Sequence, residues 1–318
     1  MNKRVSRIVL VAGLYLASLP AFAAPLQKSE VNPTANWVAH IDLEAFRGST
    51  LGKLVLAEIQ KQGLDQKIQQ FAAIFSFDPL RDLRDVTLYG KDQDRTNAVV
   101  IVDGQFDAQK ILSLLKMNPQ YQEIPYKSSM LYRWQQEPKP GQQAAGDQMM
   151  YGSICDAGRV VMGNSLTAVQ QAVDTIKGQA SGTSSGLLNQ VPAGQGRVFA
   201  QVVATGVGRL VGEDPKAALL KQTESLALTL GETSDNIFAE LSLRGQSPEV
   251  AGNMTKLAQG LIAMVQLSND KPQLAELAKK LTVSQADKTT QVRFEGATQP
   301  TFEFFKTQWE QRRQRQGQ

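Results

Sequence analysis

One histidine, His40, and one cysteine, Cys155, are all that 318 residues offer to chemistry that needs imidazole or thiol. Transition-metal sites draw on clusters of His and Cys, so none of the usual kind is expected, and no cofactor is implied. A lone thiol cannot close a disulfide within one chain and is expected to be buried and inert. Long apolar runs are also scarce. After the first two dozen residues the longest, "GLIAMVQL" at 260–267, is helical in pattern and too short to span a bilayer.

The N-terminus does carry a signal. Lys3, Arg4 and Arg7 precede an apolar run from Ile8 to Ala17, and Ala21 and Ala23 set a small-x-small site before Ala24. This pattern predicts a signal peptide over 1–23, cut between Ala23 and Ala24, and a periplasmic or secreted product. With no cysteine at the cut, a lipid anchor there is not expected, and no transmembrane segment should remain after cleavage. The chain is formally +4, and three of those charges leave with the signal, so +1 remains. That near-neutral balance argues against nucleic acid as a partner. The basic tail "EQRRQRQ" suits the end of a helix.

What the sequence has is internal similarity. "VDGQFD" at 102–107 resembles "LRGQSP" at 243–248, each between a strand-like run and a helical run. "VAHIDLEAF" at 38–46 lies against "FAQVVATGV" at 199–207, which sets His40 against Gln201 and Asp42 against Val203. Leu166, Val169 and Val173 match Phe302, Phe305 and Trp309, three apolar positions on one helical stripe. The expected fold class is α+β: two tandem repeats of a β-α-β-β-α-β-β-α unit, with antiparallel sheets and helices packed on one face. An N-terminal extension covers 24–35 and unit one 36–178, with an inserted helix at 64–77 and an inserted segment at 117–147. A Gly/Ser-rich flexible linker at 179–196 leads to unit two, 197–318, whose closing helix should bury Trp309 against its sheet.

Candidate sites follow from short motifs. In "WVAHIDLEAF" (37–46), His40 and Asp42 share a strand face with Val38, while Trp37, Ala39, Ile41 and Leu43 share the other. A triad would need a nucleophile from elsewhere, and the second unit has Gln201 at that place. A penicillin-interacting set would need S-x-x-K, S-D-N and K-T-G in that order. The chain has Ser113 with Lys116, then Ser234, Asp235 and Asn236, then Lys306, Thr307 and Gln308. Ser113 falls late in a helix whose apolar stripe is Ala108, Ile111, Leu112 and Leu115, the S-D-N falls in a turn, and the final glycine is missing. "ATGVGRLVG" at 204–212 nearly matches a dinucleotide turn, but Gly212 is one residue late. Asp92 and Asp94 suggest a calcium loop that lacks its central glycine and has Asp103 where a glutamate belongs. Trp134, in "YRWQQEPKPGQQ", is the best candidate for an exposed binding aromatic.

The duplicated pattern, the signal, "NWVAHIDLEAF" and strand pairs ending in L-x-L-x-G resemble a group of uncharacterised secreted bacterial proteins with a duplicated α+β unit. The resemblance implies this architecture and compartment, and brings no activity, cofactor or site residue. The function expected is that of an exported, non-enzymatic envelope protein that binds an envelope protein or ligand through a groove or seam between its units. The alternatives are a serine-type hydrolase of the penicillin-interacting class and an apolar-ligand carrier. Expressed with its own N-terminus in a bacterial host, the protein should yield a mature chain beginning at Ala24; Edman sequencing that returns Met1 would refute the signal assignment.

Overall fold

The structure is a computed structural model that describes residues 25–91, 95–136, 149–156, 158–180, 186–190, 196–209, 220–268 and 272–316. The signal segment 1–23, the cut at Ala24, Asp92, Asp94 and Gly212 lie outside the described residues, as do most of the inserted loop before residue 149 and much of the linker.

The chain begins with a 3-10 turn at Lys28–Glu30 and strand β1 at Trp37–Asp42. Helices α1 (Leu43–Gly48), α2 (Thr50–Lys61) and α3 (Leu64–Phe75) follow, then strands β2 (Leu83–Gly90) and β3 (Val99–Gly104) and helix α4 (Ala108–Leu115). Next come β4 (Gln122–Tyr126), β5 (Ser129–Gln135), β6 (Met149–Asp156), β7 (Arg159–Gly163) and helix α5 (Leu166–Ile176). The remainder is β8 (Arg197–Thr205), β9 (Thr223–Thr233), β10 (Asn236–Gly245), α6 (Pro248–Gln266), α7 (Pro272–Ala278), β11 (Leu281–Ala286), β12 (Thr289–Ala297) and α8 (Thr298–Gln316).

Helix starts are written locally. Asp42, Ser49, Asp107, Ser165 and Ser247 each accept a hydrogen bond from the amide three residues on, satisfying a donor the helix itself cannot. Pro248 adds a preset φ at the first position of α6. Ser234 and Asp287 take the left-handed conformation in the β9–β10 and β11–β12 turns. Gly52 is required by close approach, since a Cβ there would lie 1.8 Å from the Phe46 carbonyl oxygen.

Among the described residues all strands join one antiparallel sheet of 12, in the order β11-β12-β10-β9-β8-β1-β2-β3-β7-β6-β5-β4. β1 and β8 meet at its middle, where His40 lies opposite Gln201. Outward from that pair the order is β2, β3, β7, β6 on one side and β9, β10, β12, β11 on the other. β4 and β5 extend the first side only.

Two expectations are corrected. The described strands form a single continuous sheet, an arrangement that two like units allow, and helices cover both of its faces where cover on one was expected. α5 packs Val169, Ala172 and Val173 onto the face that holds Val38, Val99, Ile101 and Val161. α4 stands over the opposite face, where its Ile111 and Leu115 line a cavity with Val102, Val160 and Met162. α6 is also on that opposite face, since Thr290, beside Leu243 in the β10–β12 ladder, donates to the Ala251 carbonyl. The reason lies in strands such as "VVIVDG" at 99–104, which are apolar on both faces and so need cover on both. Leu187 and Leu188, inside the stretch read as linker, are buried in the core, as are Leu26, Val31 and Ala35 of the N-terminal extension.

The second correction concerns α8. Phe305 is 60% exposed and Trp309 46%. The Glu232 carboxylate, at the end of β9, accepts from the Thr50 and Leu51 amides (2.6 and 3.2 Å) and from Thr298 Oγ1 (2.9 Å). That one buried anion fastens the starts of α2 and α8 together, so the aromatic stripe of α8 faces α2. Leu131, fully buried, should cost about 2–5 kcal/mol on substitution by Ala. Phe305→Ala should change stability by no more than about 0.5 kcal/mol. Chemical denaturation of both variants checks this; equal losses would place the α8 stripe in the core after all.

Candidate functional site

His40 and Asp42 lie on the covered face of β1, at 4% and 2% exposure. His40 Nδ1 is 2.8 Å from Thr87 Oγ1, its cross-strand neighbour on β2. Asp42 Oδ1 accepts from the Ala45 amide at 2.7 Å and caps α1. Each is thus engaged in structure. The apolar-looking face of β1, with Trp37, Ala39 and Ile41, is the more open one, and Ile41 is 43% exposed.

The penicillin-type motifs are not brought together. Ser113 Oγ donates to the Gln109 carbonyl at 2.8 Å on the outside of α4, and Lys116 pairs with Glu123 at 3.5 Å. Ser234 and Asp235 form the β9–β10 turn that Asn236 closes. β10 and β3, the strand before α4, are five steps apart in the sheet, or about 24 Å at the usual strand spacing. Lys306 pairs with Glu58 of α2 at 2.9 Å, beside Thr307, whose hydroxyl donates to the Glu303 carbonyl. Gln308 follows on the same helix. Cys155 is half-buried, and burial pushes its thiol up to about 11, which keeps it protonated and unreactive.

The open face of the sheet is where apolar surface collects. One ladder row runs Met162, Val100, Leu88, Ala39, Val202, Leu228, Leu241, Val292, Val283. The next runs Val160, Val102, Val86, Ile41, Ala200, Leu230, Ala239, Phe294, Leu281. Every member is apolar and none is fully buried. The rows cross the β1–β8 junction without interruption. At one end, under α4, they floor a cavity of about 300 Å³ walled by Phe77, Phe106, Ile111, Leu115, Tyr132 and Trp134. Trp134 is therefore part of a binding-shaped space, though half-buried rather than exposed on a loop. A second groove, of about 390 Å³, lies between α2 and α8.

The covered face hides a feature that sequence reading missed. Asp42, Asp85, Asp103 and Arg159 are directly opposite one another on β1, β2, β3 and β7, forming one rung. Arg159 bridges Asp103 at 2.9 Å and Glu30 of the N-terminal turn at 2.8 Å, and so ties that turn to the sheet. Burial pushes the Asp85 carboxyl up to about 7, and the carboxylates of Asp103, Asp42 and Glu30 add to the shift. Spacing along the chain gave no hint of it, because the acids are brought together by strand register alone.

Fold and site together define an α+β protein built on one broad antiparallel sheet with a half-covered apolar face. No family model matches the chain, and no curated protein does. Among solved structures it is similar to crystal form III of TP0453 (TM-score 0.43, 8% identity, covering 86% of this chain and 95% of that one). It is similar also to crystal form I of TP0453 (TM-score 0.41, 10% identity, covering 90% and 98%). No helix among the described residues is long and apolar enough to cross a membrane.

The acidic rung makes stability pH-dependent. The fold keeps a proton on Asp85 that an unfolded carboxyl releases near 4. The contribution is thus complete at low pH and is lost as pH rises from about 4 through about 7. Asp85→Asn, which stays neutral, should flatten that part of the melting-temperature profile and melt higher than the parent at pH 8. A variant that melts lower at pH 8 than the parent would show Asp85 to be held as a carboxylate.

Proposed function

We propose that this is an exported, non-catalytic envelope protein that acts by binding, and that what it binds is apolar. One observation carries the reading: two unbroken apolar rows cross nine strands on a face that the helices cover incompletely. Apolar area left in contact with water costs about 25 cal/mol per Å², and a ligand that covers it recovers that free energy. The cavity beside Trp134 falls at the lower end of the size range of small-molecule sites, about 300–1,000 Å³. The signal-like N-terminus supports export to the periplasm or beyond. The two arms of the sheet are read as copies of one unit. The shared strand order on either side of β1 and β8 supports this, as does the pairing of His40 with Gln201, the residue matched to it in sequence. The rows then cross the seam between the copies, with the cavity at one end of them. The hydrolase alternative draws no support from the positions of Ser113, Lys116, Ser234 and Asn236.

A neutral apolar fluorophore such as N-phenylnaphthylamine tests the reading. It should bind saturably, and Trp134→Ala or Ile41→Lys should weaken it several-fold with little change in melting temperature. Absence of saturable binding would overturn the proposal. So would covalent labelling by a fluorescent penicillin that is lost in Ser113→Ala.

A further inference from the structure

We propose that the groove between α2 and α8 is a separate site for one long-chain carboxylate, its alkyl chain between the helices and its head at Arg313. The inference rests on the reading of the protein as a binder of apolar molecules, but on different residues. Leu51, Val55 and Ile59 of α2 face Phe302, Phe305 and Trp309 of α8 across the groove. The α8 stripe is spaced to be covered along its whole length, yet α2 leaves Phe305 60% and Trp309 46% exposed. The space, about 390 Å³, suits one chain.

Charge decides the head. Glu58 and Lys306, each 18% exposed, neutralise one another at 2.9 Å and hold the two helices together. Arg313, one turn beyond Trp309, stacks its guanidinium 4.9 Å from the indole centroid and is exposed. Among the described residues it has no carboxylate partner. A guanidinium fork matches a carboxylate with two parallel hydrogen bonds, and Arg312 beside it adds to the positive field at the end of the helix. Arg313 stands just beyond the residues that line the groove, so a ligand with its apolar tail in the groove and a planar anionic head past Trp309 satisfies both.

Calorimetric titration with dodecanoate, and with dodecanol of the same chain length, tests this. Dodecanoate should bind at one saturable site. Arg313→Gln should weaken it about tenfold, as loss of a charge-assisted hydrogen bond does, and leave dodecanol within about twofold. Arg313→Lys should restore part of the loss. Val55→Trp, which fills the groove, should abolish binding of both; if that variant does not fold, Phe305→Ser should weaken both. Equal weakening of dodecanol and dodecanoate by Arg313→Gln would overturn the head contact. Binding to anionic phospholipid vesicles without binding of monomeric dodecanoate would overturn the site. Failure of dodecanoate while N-phenylnaphthylamine still binds would sink this inference alone; failure of both would sink the functional reading with it.

Discussion

The pairing of β1 with β8 holds the molecule together. Residues about 160 positions apart in the chain form its ladder, and without it the sheet would be two five- to seven-stranded pieces with raw edges in the middle. Exposed edges of that kind template aggregation, and joining them removes both at once. The same ladder makes the apolar rows continuous, because Ala39 meets Val202 and Ile41 meets Ala200 across it.

The two faces of that sheet have opposite characters. The covered face holds the close-packed core of valines, Ile101 and Leu131, and also most of the buried polar groups, including His40, Thr87, Asp42, Asp103 and Thr229. Those groups are tolerated because neighbouring strands supply partners: Thr87 for His40, Arg159 for Asp103. The other face has two wholly apolar rows and few buried polar groups, among them Thr290 bonded to the Ala251 carbonyl, but it lacks full cover. Folding thus leaves apolar surface unused on the side where α4 and α6 stand over the outer strands, and the proposed function rests on that surplus.

Helix α8 shows how a single buried charge redirects packing. Its stripe of Phe302, Phe305 and Trp309 is evident in the sequence, and covering a sheet is the ordinary use of such a stripe. Glu232 instead gathers the amides that open α2 and the hydroxyl that opens α8. The helices leave the sheet end side by side, and the stripe becomes one wall of a groove. Nothing near Glu232 in the chain marks it, because its three partners come from two distant segments.

By itself the sequence determined the local elements: the helix starts at Asp107 and Pro248, turns at Ser234 and Asp287, alternation in the strands, and the α+β class. It also carried the internal similarity that sets His40 against Gln201, while Trp134, expected to be an exposed aromatic, is half-buried. These are legible because capping, turn formation and amphipathic period depend on neighbours within a few residues. Tertiary structure alone decided that the described strands form one sheet, which of their faces is more fully covered, and where α8 goes. It alone brought Asp42, Asp85, Asp103 and Arg159 onto one rung. The physical reason is register: strand pairing places side chains from remote segments about 5 Å apart, and no spacing along the chain encodes that distance.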